Sequence, residues 1–117
     1  MVTWVIIILI GLFILKQMIP PKGVTNITVP ETKTKLKDKY TQFIDVRTPG
    51  EFKSNHQSSF KNIPLGDLTK KSTALDKNKE TVLICQSGMR SMRAAKLLKK
   101  QGFNKLYNVK GGMRAWD

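Results

Sequence analysis

The chain has 117 residues, with 21 Lys and Arg against 8 Asp and Glu, a net charge of +13, and a single cysteine. That length accommodates one domain. A lone cysteine excludes an internal disulfide framework, and without a spaced Cys/His cluster neither a metal site nor any other cofactor is expected.

The first element in chain order is apolar. Val2 to Leu15 carries no charge, and only Thr3 and Gly11 interrupt its apolar residues. As a helix, residues 1–19 would rise about 28 Å, close to the ~30 Å hydrocarbon core of a bilayer. Counted only to Leu15, the rise is about 22 Å, and Lys16 and Gln17 would have to reach toward the headgroups. Trp4 sits where an interfacial aromatic belongs, and Pro20-Pro21 stop the helix. A cleaved signal peptide would carry a basic start and a small-residue cleavage site, and neither is present. Lysines at 16, 22, 33, 35, 37 and 39 all follow the apolar run. By the positive-inside bias, they put the N-terminus outside and the rest of the chain in the cytoplasm. The expectation is a single-pass anchor in the cell membrane over residues 1–19, a linker over 20–25 and one folded unit over 26–117.

All but two of the basic residues, and every acidic one, lie at or beyond Val24, which gives that part a net charge of +11. A surface this basic is either a lysine-coated soluble face or one that favours anionic partners. Attraction to an anionic membrane leaflet accounts for it, whereas no stacking aromatics or RNA-binding signature point to nucleic acid.

Within the folded unit, Asn26 to Thr28 reads as a first strand. Thr28-Val29-Pro30-Glu31 is a capping box opening a helix to about Lys39. Phe43 to Val46 is a short buried strand, and Thr48-Pro49-Gly50-Glu51 repeats the capping pattern over a short helix. A polar loop at Ser54 to Ser59 leads to an extended stretch from Asn62 to Leu65 and a small helix from Asp67. Thr81 to Ile84 is a buried strand ending on Cys85. Ser91 to Gln101 is an amphipathic helix closed by Gly102, and Leu106 to Val109 is the last strand. Gly111-Gly112 then open a turn that ends at Trp116. Strands alternating with helices give an α/β domain with a mostly parallel sheet.

Residues 85–91, Cys-Gln-Ser-Gly-Met-Arg-Ser, join the buried strand to the amphipathic helix, where parallel sheets bind ligands. Gly88 permits a tight curve, and successive N–H groups in such a turn form an anion-binding nest. At the base of that nest Cys85 would gain from the helix N-terminus and Arg90, both of which favour a nucleophilic thiolate. A buried, inert cysteine closing a core strand is the plainer alternative, but the residues that follow it are polar and glycine-containing.

At these residues the chain resembles the rhodanese family. The resemblance rests on Ile44-Asp45-Val46-Arg47 with Pro49-Gly50-Glu51-Phe52, on His56 leading to Asn62-Ile63-Pro64-Leu65, on the Cys85-to-Arg90 loop, and on Gly111-Gly112-Met113-Arg114-Ala115-Trp116. It implies a three-layer α/β fold with helices flanking the sheet. It also implies a sulfurtransferase in which Cys85 takes sulfur from a donor such as thiosulfate and holds it as a persulfide. Gln86, Ser87, Gly88, Met89, Arg90 and Ser91 would bind the substrate, with Arg90 on the donor anion. A thiol, an acceptor protein or cyanide would remove the sulfur, because no second cysteine is available. Asp45 and Arg47 are expected to brace the loop, His56 to be structural or exposed, and Trp116 to pack the last turn. The family's usual Gly-His-Ile-x-Gly-Ala stretch is replaced by Asn55-His56-Gln57-Ser58-Ser59-Phe60, which lacks both glycines. A rhodanese-like phosphatase would need a longer loop with arginine at 91, where the residue is Ser91. A non-catalytic rhodanese-like binding module at the membrane is the alternative function.

Overall fold

A computed structural model describes residues 1–116 of the chain. Its sheet is built from β1 (Val24–Ile27), β2 (Gln42–Asp45), β3 (Lys61–Asn62), β4 (Thr81–Ile84) and β5 (Leu106–Val109), in the order β1-β5-β4-β2-β3 with every pair parallel. Each connection crosses over a face of the sheet, as parallel pairing requires.

The middle strand shows why this sequence chooses a strand there. Every residue of β4 is buried, and side chains alternate between the two faces. Leu83 and Cys85 join Ile44, Val46, Leu98 and Phe103 in one core, while Val82 and Ile84 join Phe43, Phe60, Val109 and Met113 in the other. The domain therefore has a parallel sheet with packed layers on both sides, the α/β architecture expected.

Helix α5 (Met89–Lys100) closes the first core with Met92, Ala94, Ala95 and Leu98, all buried, while its lysines face outward. Truncating one such leucine to alanine typically costs about 2–5 kcal/mol. Helix α2 (Val29–Lys35) contributes Val29 to the second core. Both capping boxes form: Thr28 and Glu31 cap α2, and Thr48 and Glu51 cap α3 (Pro49–Ser54). A short helix α4 (Leu68–Lys71) lies between β3 and β4.

Some boundaries differ from expectation. The first strand begins at Val24, inside the stretch read as linker, because Val24 and Ile27 are buried against β5. Helix α2 ends at Lys35 and not near Lys39. There Asp38 accepts hydrogen bonds from the Tyr40 amide and the Thr41 hydroxyl, a local turn that competes with further helix.

The expected membrane span is corrected by helix α1 (Val2–Met18). It has 17 residues and so rises only about 26 Å, with Lys16 and Gln17 in its last turn. Among the described residues no helix is long and apolar enough to cross a membrane. Ile19 is extended and Pro20-Pro21 prevent another turn, so the spanning helix read over residues 1–19 is not formed among the described residues, and the membrane partner inferred from it is not supported. Helix α1 instead stands off the domain with apolar side chains exposed, Phe13 at 63% among them. Lys96 Nζ of α5 donates to the Gln17 carbonyl at 3.2 Å.

Candidate active site

Strand β4 delivers Cys85 to the carboxyl edge of the sheet, fully buried. The chain then curls back over its own sulfur. Gly88 has φ +101, a conformation that suits glycine, and this turn directs its amide at Cys85 Sγ, to which it donates at 3.0 Å. Ser91, in the first turn of α5, places its buried hydroxyl 3.3 Å from the same sulfur. The amides of Gln86, Ser87, Met89 and Arg90 have no acceptor among the described residues. Amides left without acceptors in a turn at the positive end of a helix are the kind of donors that suit an anion.

The loop carbonyls are engaged from behind. After β5, Gly111 and Gly112 adopt φ +81 and +57. This turn brings the Met113 amide to Cys85 O at 2.8 Å and the Arg114 amide to Gln86 O at 3.0 Å. A Cβ on Gly112 would lie 2.3 Å from Cys85 O and 2.8 Å from the Gln86 carbonyl carbon. Only glycine lets the two backbones approach this closely.

Buried polar groups brace the loop from β2. Asp45 accepts from Arg47 Nε at 3.0 and 3.1 Å and from Nη2 at 2.8 Å, while Arg47 also donates to Asn55 O at 2.6 Å and to Gln86 Oε1 at 3.4 Å. Asn62 Nδ2 donates to the carbonyls of Asp45 and Arg47, both at 2.9 Å. The framework role expected of Asp45 and Arg47 matches this geometry. Arg90 is turned to a different partner than the loop alone suggested. Its guanidinium makes two hydrogen bonds to Glu51, at 2.7 and 2.9 Å. Arg90 and then the Thr48 amide hold the Glu51 carboxyl down to about 2. The same bond raises the Arg90 pKa, with burial opposing it.

Of the remaining expected substrate-binding residues, Ser87 and Met89 are exposed at the rim, and Gln86 and Gly88 are half-buried. A cavity of about 610 Å³ borders this rim, with Ser87, Gly88, Met89 and Arg90 on one side and Phe13 and Ile14 of α1 on the other. His56 lies outside the cluster. Its Nδ1 is 2.7 Å from Phe52 O and its ring stacks on Phe52 at 3.8 Å between centroids. Trp116 packs edge-on to Phe60 at 6.0 Å.

Two residues bonded to the loop and the first turn of α5 were missed by sequence reasoning. Glu51 read only as a helix cap, with nothing local to indicate its second bond to Arg90. Asn108 did leave a signal, since a polar residue within the apolar run of β5 must find partners when buried.

Comparison with known proteins agrees with this architecture. The Rhodanese-like domain family matches residues 28–117. YtwF of Bacillus subtilis is 42% identical over 95 residues, covering 80% of this chain and 91% of its own. Thiosulfate sulfurtransferase GlpE of Pseudomonas syringae is 32% identical over 87 residues, 74% of this chain and 82% of that protein. The crystal structure of a rhodanese-like domain protein from Staphylococcus aureus superposes with a TM-score of 0.73 at 33% identity, over 80% of this chain and 91% of that one. With its parallel sheet, its Cys85 loop and these matches, the chain belongs to the Rhodanese-like domain family.

Proposed function

We propose that the protein is a sulfurtransferase that carries sulfane sulfur as a persulfide on Cys85. The observation that carries this reading is the setting of Cys85 Sγ, which accepts from the Gly88 amide inside a loop whose remaining amides lack acceptors among the described residues. A thiolate there attacks the outer sulfur of thiosulfate. The S–S bond of the donor breaks, sulfite leaves with the bonding pair, and Cys85 is left as a persulfide anion. Its negative charge sits on the outer sulfur, where the amides from Gln86 to Arg90 are ready donors. In the second step an external thiolate or cyanide attacks that outer sulfur, and Sγ departs as the thiolate. The acceptor must be external because Cys85 is the only cysteine.

Arg90 serves the donor anion from the rim, sharing its guanidinium with Glu51. Arg90→Ala should then mainly raise KM for thiosulfate, and an unchanged KM would remove Arg90 from donor binding. A thiol that must stay free between turnovers suits a reducing compartment, and we infer a cytoplasmic location on that ground.

Intact-mass spectrometry of the full chain after incubation with thiosulfate tests the reading, with Cys85→Ser alongside. The expected result is a gain of one sulfur atom on the wild type alone, reversed by cyanide or dithiothreitol. If neither thiosulfate nor a small persulfide gives an adduct, the reading fails in favour of a non-catalytic binding module.

A further inference from the structure

The Ser91 hydroxyl has one proton and two acceptors within reach. Its Oγ lies 3.3 Å from Cys85 Sγ and is hydrogen-bonded to Asn108 Oδ1. The other end of the Asn108 amide fixes which way that side chain faces. Its Nδ2 donates to the Gly88 carbonyl at 3.2 Å and to Asn26 Oδ1 at 3.1 Å, and a backbone carbonyl can only accept. Asn108 therefore presents a proton-free oxygen to Ser91, and the bond between them requires the serine proton. With that proton on Asn108, Ser91 turns a lone pair toward Sγ. A hydroxyl in this state accepts from an S–H and cannot donate to a thiolate. Cys85 and Ser91 are fully buried and Asn108 is 4% exposed, so the competition takes place away from bulk water.

We infer that Asn108 is a positioning residue that weights Cys85 toward its uncharged forms by competing with Sγ for the Ser91 proton. In the resting thiol, the cysteine proton points to Ser91 and the serine proton to Asn108. When the thiol proton leaves to solvent, the hydroxyl turns to Sγ and Asn108 Oδ1 loses its donor. In a persulfide the charge has moved to the outer sulfur, Sγ is neutral again, and the serine proton returns to Asn108. This last step rests on the persulfide reading and the resting state does not. For a carrier, the consequence is that sulfur is held on Cys85 until an acceptor pulls it away.

The charged groups around the sulfur are Arg90 with Glu51, the Asp45–Arg47 pair of β2, and Lys110 and Arg114 flanking the Gly-Gly turn. None is altered in the variants that test the inference. The measurement is thiolate ultraviolet absorbance against pH on the sulfur-free full chain, referenced to Cys85→Ser so that only this thiol contributes. Asn108→Ala should lower the midpoint by about one unit, roughly tenfold more thiolate at a pH below both midpoints. Asn108→Asp keeps the acceptor, adds negative charge and should raise the midpoint. In a Ser91→Ala background, Asn108→Ala should leave the midpoint where Ser91→Ala puts it, because the proton through which it acts is gone.

General damage to the fold would not produce opposite shifts from one position. Shifts of the same sign, no shift, or an Asn108→Ala shift that persists without the serine hydroxyl would each overturn the inference. If Asn108→Ala does not fold, Asn108→Leu, which removes the acceptor at similar volume and adds no charge, takes its place with the same expected lowering. None of these readings requires sulfur transfer, so they stand or fall separately from the mass measurement with thiosulfate.

Discussion

Replacing Asp45 with alanine tests whether its pair with Arg47 holds the loop framework in place. Both side chains are buried, at 0% and 3% exposed, and the carboxylate accepts from Nε, Nη2 and the Arg47 amide. Alanine leaves the guanidinium buried with only Asn55 O and Gln86 Oε1 as partners. Breaking a buried pair from one side costs about 3–5 kcal/mol, because the remaining charge is uncompensated. In a domain of this size each kcal/mol moves the midpoint by about 4–8 °C, so Tm should fall by at least about 12 °C. Thermal and urea unfolding followed by circular dichroism at neutral pH measure the loss. Removing both charges in Asp45→Leu/Arg47→Met should recover most of it, since an apolar pair carries no desolvation penalty. A loss below about 1 kcal/mol in the single variant, or a double variant as unstable as the single one, would refute the reasoning.

Two further predictions address the other supports of the loop. Gly112→Ala puts a Cβ 2.3 Å from Cys85 O at φ +57, so the turn must shift and carry the loop with it. We expect a stability loss of about 1–3 kcal/mol and a marked fall in sulfur loaded per folded molecule; full loading at unchanged Tm would show that the turn does not set the loop. Glu51→Gln keeps the cap on α3 but removes the charge facing Arg90. The folded carboxyl titrates at about 2 against an ordinary 4.5, so its contribution is complete above pH 4.5 and is lost as pH falls toward 2. The pair is about one-third exposed and solvent-screened, so the variant should be less stable at neutral pH by on the order of 1 kcal/mol. The difference should vanish near pH 2, and urea midpoints across that range check it.

What was legible in the sequence is what the chain specifies locally. Strands β4 and β5 occupy the expected residues because four consecutive apolar or β-forming positions need no distant information. The boxes Thr28 with Glu31 and Thr48 with Glu51 formed as read, since each is closed within one turn. Cys85 lies where a buried strand meets a glycine-containing turn, and that junction is also local. What escaped depends on partners far along the chain. Strand β3 is two residues long and exists through pairing with Ile44 and Asp45. The resemblance gives Arg90 only the donor anion, whereas its guanidinium also pairs with Glu51, 39 residues away along the chain. Helix α1 failed as a span for a quantitative reason: composition supported it, and about two turns of apolar length beyond Leu15 did not exist.

The supports around Cys85 divide by polarity. The Gly-Gly turn takes up the loop's first carbonyls, Cys85 O and Gln86 O, and the Gly88 carbonyl is bonded by Asn108 and by Met92 of α5. Asp45, Arg47 and Asn62 brace the side toward β2, with Arg47 reaching the Gln86 side chain. With those acceptors engaged, the loop is fixed by its carbonyl side, while the Gly88 amide is directed at the sulfur and its neighbours are left without acceptors among the described residues. That asymmetry suits a group whose charge lies one atom beyond Sγ, because donors already in place need no reorganisation when the outer sulfur arrives. It also gives a role to parts of the sequence pattern that lie far along the chain from the cysteine. Gly111-Gly112 and Asp45 to Arg47 touch no substrate in this reading; they act on the loop through the Cys85 and Gln86 carbonyls and the Gln86 side chain.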